Sequence, residues 1–540
     1  MENQTLQEDF LKNVEFIKST DKITIPKGLD KVVKKLDKQL LKKVNKKLTI
    51  ARELCLLFLS KLTYTLYSEN RYIEISAKDI SKLLRKKGNS STSVNGELYQ
   101  SVLDVLEKGT EDGPIIDIDR QYIVADKERN IKGKSRGYTI SDLYRNNGHK
   151  TYELKTEYVK DIAYRNHLEQ LAKVNVNTIA RNSLKFYATL DLPTSEELLE
   201  YGKKLCKAGY TNKDKVLTMR YRKDNSYWKD ISKRTFVEDA IACFEYYTEN
   251  GFILPIIGSS NTCPRVYDSF NLQYKWIRDV ILSNNRELIE TDIKCSNPNL
   301  IMNIFNGKLK NITHDEVAEY LGMDRDEVKT LHLSFFNLEV EDMKKSKLWN
   351  FYYDNDKELL DRVINDKINY GYKNTSRLTF ILETEIMEKT IERLNAMNIT
   401  VGYVFDALFA TKDNIEIVNK TLNEVLKEMN IHTTAIIKTK AETKSKTKSL
   451  ATIETETNSS IVILKENLDV QTETYVETFF ETKKSVIQNL KDIFEMSHTY
   501  IKHKDNQRRI DNITNEIIEF KKINKFTKKD FKEIVKNNFK

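Results

Sequence analysis

Two aspartates in this sequence stand where an acid can do chemistry. Asp292 ends a short apolar run, Leu288-Ile289-Glu290-Thr291-Asp292. A polar turn follows, and Pro298 is placed to open a helix over Asn299 to Phe305. Asp406 lies between two apolar, β-prone runs, Val401-Gly402-Tyr403-Val404-Phe405 and Ala407-Leu408-Phe409-Ala410, with no charged neighbour for several residues on either side. Such a run predicts a tight hairpin with Asp406 at or beside the turn. A carboxylate in apolar surroundings has to be solvated, hydrogen-bonded or bound to a cation. Two aspartates on different strands can hold a pair of Mg²⁺ or Mn²⁺ ions, which activate an attacking 3′ hydroxyl and neutralise a leaving pyrophosphate. Each also has a purely structural reading: Asp406 fixes a turn, and Asp292 caps the helix that follows it.

A third piece lies between them. Arg362 is followed after seven residues by Tyr370-Gly371, inside a stretch from Asp356 to Tyr372 that reads as a helix ended by Gly371. Two helical turns put Arg362 and Tyr370 broadly on one face. A cation for a triphosphate and an aromatic ring to stack near a base or sugar belong together there. The elements that must position these residues flank them. Leu378 to Met397 carries Leu378, Ile381, Leu382, Ile386, Met387, Ile391 and Leu394 on one side with no Gly or Pro, and Ile415 to Met429 is helical again.

Scale and composition frame these motifs. A chain of 540 residues has room for roughly three or four domains. Its 39% hydrophobic and 31% charged residues supply a core and a charged surface, while only 6 prolines and 16 glycines predict a helix-rich protein. The net charge of +9 is a mild bias toward polyanionic partners. An AT-rich coding sequence would raise Lys, Asn and Ile in the same way. Five scattered cysteines without a CxxC pair argue against a zinc ribbon or disulfide framework and suit a reducing compartment. The 7 histidines form no zinc-spaced pair, no phosphate-cradling P-loop appears, and Asp117-Ile118-Asp119 makes no convincing exonuclease signature. Met1-Glu2-Asn3-Gln4 opens no apolar signal segment, and no run approaches the ~18 apolar residues of a membrane span. The expectation is a soluble, cytoplasmic protein, of viral or plasmid coding or otherwise, that does not engage membranes.

Taken in order, residues 28 to 50 hold eight lysines against two aspartates, which usually makes a solvated helix face. Ala77 to Lys87 and Asn95 to Lys108 read as helices, Ile115 to Ile118 and Tyr122 to Val124 as strands, and Lys132-Gly133-Lys134-Ser135-Arg136-Gly137 as a basic turn before Tyr138-Thr139-Ile140. Helix, helix and hairpin with a basic tip is the order of a winged helix, whose tip, here Lys134 and Arg136, would contact phosphates; a structural role fits equally. The cluster Arg220-Tyr221-Arg222-Lys223 through Tyr227-Trp228-Lys229 interleaves cations and rings, as strand-tracking surfaces do, and as ordinary surfaces do as well. Thr439 to Ser460 has almost nothing to bury, and Ile501 to Lys540 carries 12 Lys+Arg against 6 Asp+Glu.

The order of an Asp292 motif, a basic-x7-Tyr-Gly helix, an apolar helix and an aspartate hairpin resembles the palm and fingers of the DNA polymerase I class and the single-subunit phage and mitochondrial RNA polymerases. It is similar above all to divergent polymerases of phages and mobile elements, whose first motif runs Asp-Ile-x-x-Ser-x-Pro. Pro264-Arg265-Val266-Tyr267 through Trp276-Ile277-Arg278 is similar to the lead-in to that motif, and the resemblance covers about residues 255 to 430. It implies that Asp292 and Asp406 are catalytic metal ligands and that Arg362 binds the triphosphate, where the family usually has Lys. Tyr370 would sit beside the incoming sugar, with Gly371 allowing close approach, and Ser296 and Asn297 would lie at the nucleotide. Departures accompany it. Phe405 stands where the family usually has His, Ala407 offers no second acid, and Asn297 stands where DNA polymerases of the class carry a glutamate that excludes the ribose 2′ hydroxyl. The lost glutamate and second acid point toward RNA synthesis.

The expected architecture is α+β and helix-rich, a right-hand polymerase with palm, abbreviated fingers and thumb-like parts. Residues 1–150 would be a basic, winged-helix-like region, 151–254 a helical thumb-like or connecting domain, and 255–437 palm and fingers. Residues 438–460 would be a linker or exposed hairpin, and 461–540 a basic helical C-terminal domain. The expected activity is template-directed nucleotidyl transfer with Mg²⁺ or Mn²⁺ as cofactor and a DNA template and nucleoside triphosphates as partners. DNA-templated RNA synthesis is the first form, DNA synthesis for replication of a phage or mobile element the alternative. A non-enzymatic replication-initiation protein with a decayed palm is the other alternative.

Overall fold

A strand buried within a sheet needs backbone partners on both edges, and the run Arg286–Ile293 has them. Residues 288–292 pair antiparallel with 411–407 on one side, and residues 290–293 pair antiparallel with 438–435 on the other. The computed structural model describes residues 17–67, 72–85, 92–121, 135–145, 148–212, 215–220, 233–259 and 263–438. The chain is mixed α and β and rich in helix.

The first elements are β1 (Lys22–Pro26), α1 (Leu48–Leu62), β2 (Ile73–Glu74), α2 (Ala77–Leu84), α3 (Thr92–Lys108), β3 (Ile116–Asp119), β4 (Gly137–Ile140), β5 (His149–Glu153) and α4 (Glu157–Val176). They share one apolar cluster that runs from Ile23 to Ile162 and is filled by Leu54, Phe58, Leu103, Leu106 and Ile140. Strands β2, β4 and β3 form a small sheet in that order. The two expected helices are present as α2 and α3, and β3 pairs antiparallel with β4, Ile116 opposite Ile140, so the first of the two expected strand runs and not Tyr122 to Val124 is the described partner of residues 137–140. Tyr122 to Val124 and Lys134 lie outside the described residues. Every lysine from Lys31 to Lys47 is exposed, while Leu36, Leu41 and Val44 between them are buried, so this run is a solvated face of an amphipathic stretch.

After α5 (Thr178–Tyr187), β6 (Leu190–Asp191), α6 (Ser195–Lys207) and α7 (Val237–Thr248), the main sheet assembles from β7 (Leu282–Ser283), β8 (Arg286–Ile293), β9 (Gly402–Val404), β10 (Ala407–Thr411) and β11 (Ala435–Lys438). Its order is β9-β10-β8-β7-β6, with β11 also on β8. Between β8 and β9 come α8 (Ser296–Ile304), α9 (His314–Leu321), α10 (Arg325–Phe335), α11 (Leu348–Tyr370) and α12 (Asn374–Ala396); α13 (Ile415–Glu428) follows β10.

Alternation along β10 divides the interior in two. Leu408 and Ala410 join Ile386, Met387 and Ile391 of α12 and Val418, Leu422 and Val425 of α13. Ala407 and Phe409 join Phe186, Phe244, Phe270, Trp276 and Ile277 on the opposite face. Both faces of this strand are covered, which is why its sequence reads as an unbroken apolar run. Gly402 is required on β9 because a Cβ there would lie 2.8 Å from ring carbons of both Phe186 and Phe270. Helices α8 to α11 enclose a core of their own, built on Met302, Val317, Val328, Phe335, Tyr352, Leu359 and Val363. Residues 439–540, the expected linker and C-terminal domain, lie outside the described residues.

Candidate active site

Register brings the two aspartates together. Asp292 pairs with Ala407 across β8–β10, and the Ile293 N–H donates to the Asp406 carbonyl at 3.2 Å. Val404 pairs with Ala407, so the turn between β9 and β10 is the two residues Phe405-Asp406. Phe405 has φ 57°, a left-handed conformation normally taken by glycine in such turns. Its ring is held from several sides: the Arg265 guanidinium lies 4.5 Å from its centroid, and Tyr267 and Tyr403 meet it edge-on at 5.9 and 6.2 Å. The site thus keeps a backbone conformation costing about 1–3 kcal/mol because packing over-determines it. Ala407, opposite Asp292, adds only a methyl group and no second acid.

Charges alternate along the adjoining face and then fail to alternate. Lys275 Nζ lies 3.5 Å from Asp279 and 3.6 Å from Glu290. Lys438 Nζ lies 2.6 Å from Glu290 and 2.5 Å from Asp292. The next charge is Asp406, which accepts its own backbone N–H and has no ion-paired cation among the described residues. The effect on titration is opposite for two acids on one strand face. Burial works against Glu290, yet Lys438 and Lys275 hold it below the usual carboxylate range. Asp292 is pushed up to about 7 by burial and then by Asp406, despite Lys438. Burial and then Glu383 push Asp406 up to about 6. Two neighbouring carboxylates raised together are short of one positive charge.

The acid behind them is accounted for. Glu383 on α12 is buried, and Arg265 forks onto it at 2.7 and 2.6 Å. The same guanidinium lies between the rings of Phe380, 4.1 Å away, and Phe405. One arginine therefore ties the lead-in segment to α12 and to the turn that presents Asp406. Tyr403 Oη is buried nearby without a hydrogen-bond partner among the described residues.

The remaining sequence-predicted residues are distributed as follows. Helix α8 begins at Ser296, three residues before Asn299, because Cys295 turns left-handed (φ 47°) and lets the helix start directly after β8; Pro298 falls in its first turn. Ser296 is buried, and Asn297 Oδ1 is buried without a hydrogen-bond partner among the described residues. Asn299 supports the turn: its side chain donates to the Cys295 and Ile312 carbonyls and accepts the Ile312 N–H at 2.8 Å. Helix α11 ends at Gly371 (φ 84°), as expected, and a Cβ there would meet no described protein atom within 4 Å. Arg362 donates to the Phe305 and Asn306 carbonyls at 2.6 and 2.9 Å, closing the C-terminal end of α8. Tyr370 is 60% exposed and free to meet a ligand. Arg220 is held by Asp239 and lies over the Phe236 ring at 4.7 Å. Arg136 precedes β4, and Arg222, Lys223 and Lys134 lie outside the described residues.

Sequence reasoning missed Glu383, Arg265 and Lys438 as members of this site. Arg265–Glu383 joins residues 118 apart and Lys438–Glu290 residues 148 apart, and nothing local marks either pair. The available signal was negative: Glu383 is a charge among the apolar positions of α12.

The donor set suits a hard cation held sparsely. No group of three or more His, Cys, Asp or Glu among the described residues forms a ready metal cage. Mg²⁺ instead is commonly held by one or two carboxylates plus water and substrate phosphates. Asp292 keeps 23% of its side-chain surface exposed, enough for an ion and its waters to reach it.

No protein-family model matches the chain, and no curated protein matches it in sequence. Among solved structures it is similar to the POL domain of Pol1 from M. smegmatis in complex with DNA primer-template and dNTP. That similarity is 12% in identity over 53% of this chain and 74% of that one, with a TM-score of 0.32. At that level the site's own geometry, and not the likeness, has to carry the function.

Proposed function

We propose that this chain is a nucleotidyltransferase that extends a nucleic-acid strand on a DNA template from nucleoside triphosphates. One observation carries the reading: antiparallel register sets Asp292 beside the Phe405-Asp406 turn, giving two raised carboxylates of which Asp292 alone is ion-paired to a lysine among the described residues. Asp292 and Asp406 would hold Mg²⁺ or Mn²⁺. When bound, such ions lower the cost of forming the attacking 3′ oxyanion and neutralise the leaving pyrophosphate. The chain's own residues do the rest by position. The β9–β10 turn fixes Asp406, the Arg265–Glu383 pair holds that turn from behind, and the Asn299 network fixes the β8–α8 turn beside Asp292. Catalysis of this kind needs no covalent intermediate, only positioning and charge neutralisation.

RNA synthesis is the first form of the proposal. Asn297 Oδ1, without a partner among the described residues, is an acceptor that suits a ribose hydroxyl, where a glutamate would repel it by size and charge. The Lys438 contact with Asp292 favours a second, non-enzymatic reading in which a lysine has permanently replaced the metal. Asp292→Asn and Asp406→Asn separate the two. Under the enzymatic reading each lowers nucleotide incorporation by at least about a thousandfold at matched folding, since a lost metal ligand removes several kcal/mol of transition-state stabilisation. Under the other, the unaltered protein incorporates nothing and binds DNA all the same.

A further inference from the structure

Lys438 closes β11 and reaches across β8. It pairs in register with Glu290, and Asp292 lies two residues farther along the same face, within reach of a long side chain. The strand that carries it is pinned. Asn423 on α13 accepts the Ala435 N–H at 2.8 Å and donates to the Ala435 carbonyl at 3.1 Å, while Thr433 Oγ1 donates to the Lys294 carbonyl at 2.6 Å. The lysine is thus aimed at the two acids by the fold. Glu290 has a second lysine in Lys275, but Lys438 is the cation ion-paired to Asp292 among the described residues.

We propose that Lys438 is a tethered counter-cation that competes with a divalent ion for Asp292, so that the ion loads tightly only together with a substrate phosphate. This rests on the metal-site reading above. A cation 2.5 Å from one ligand oxygen neutralises the charge that would draw the ion in, and repels the ion itself. A triphosphate brings both negative charge and oxygen ligands, and so tips the competition toward the ion. Lys438 keeps Glu290 when it yields Asp292, and needs no new partner.

The test is a calorimetric Mn²⁺ titration of the full chain without nucleotide, in the unaltered protein, Lys438→Gln, Lys438→Met and Lys438→Arg. The double variant Lys438→Gln/Asp292→Asn is the control, and thermal melts with and without Mn²⁺ confirm folding. Both neutral variants are expected to bind Mn²⁺ about tenfold more tightly than the unaltered protein, a step typical of losing one close charge. Lys438→Arg should stay near the unaltered affinity, and the double variant should lose binding. Lys438→Met keeps the aliphatic stem and stands in if Lys438→Gln does not fold. Unchanged or weaker affinity in the neutral variants, with binding still dependent on Asp292, overturns the role of Lys438 and leaves the metal site standing. Binding that is absent throughout, or survives Asp292→Asn, overturns both.

Discussion

Glu290 and Asp292 are two residues apart on one face of one strand, yet their carboxyls shift in opposite directions. The difference is local: two lysines serve Glu290, while Asp292 shares one and faces Asp406. Under the proposed function the choice of sugar also belongs to this scale. Rejection of a substrate lacking a hydroxyl is strong where it strands a buried polar group, and Asn297 Oδ1, buried without a hydrogen-bond partner among the described residues, would be such a group. The unaltered protein should therefore use NTPs at least as well as dNTPs, and Asn297→Glu should shift preference toward dNTPs by about tenfold or more. Tyr370→Phe should reduce the ribose preference by less, because a side chain 60% exposed gives up a hydroxyl already solvated. Incorporation of both sugars on one primed template measures all three proteins. Asp292, Asp406 and the Gly371 cap were legible in the sequence because strand ends, turns and caps are written in neighbouring residues. Arg362 was legible as a helical cation, but its binding to the end of α8 depends on how two helices meet.

Elements carry a different constraint. The lobe of α8 to α11 is locked by a buried chain in which His314 Nδ1 lies 3.1 Å from His332 Nδ1, and His332 Nε2 lies 2.8 Å from the Tyr352 hydroxyl. Burial lowers His314 to about 4 and His332 to about 3. An unfolded histidine titrates near 6.5, so between that pH and the folded values the unfolded chain binds more protons. The pair's contribution is complete above pH ~6.5 and is lost as pH falls toward the folded values, by about 2 kcal/mol for each histidine and so about 4 kcal/mol for the two at pH ~5. Urea unfolding at these two pH values should show the loss, and a His314→Gln/His332→Gln variant should show a shallower pH dependence. An equal slope in the variant would remove the pair from the account. The helix pattern of α12 and α13 and the β9–β10 hairpin were readable from periodicity, whereas the six-strand order was not. Strands β6, β7 and β11 are two to four residues long and owe their pairing to distant partners, and β11 in particular to Asn423 of α13.

For the whole molecule, charge and catalysis make separate claims. No described helix is long and apolar enough to cross a membrane. The exposed lysines from Lys31 to Lys47, with the basic composition of residues 501 to 540, suit a polyanionic partner. If they grip phosphates, DNA affinity should fall linearly in log–log form with salt, by about a thousandfold between about 50 and 200 mM for roughly six neutralised phosphates. Filter binding across that range tests it, and a flat response would leave the lysines as solvated surface. The central claim is narrower: Asp292 and Asp406 form one metal-dependent site for nucleotidyl transfer. The direct measurement is extension of a labelled primer on a DNA template with NTPs and dNTPs in parallel, by the unaltered chain, Asp292→Asn and Asp406→Asn, with and without Mg²⁺. The account predicts Mg²⁺-dependent extension by the unaltered chain alone. Extension by either variant at near-normal rate, with its fold intact, would contradict it.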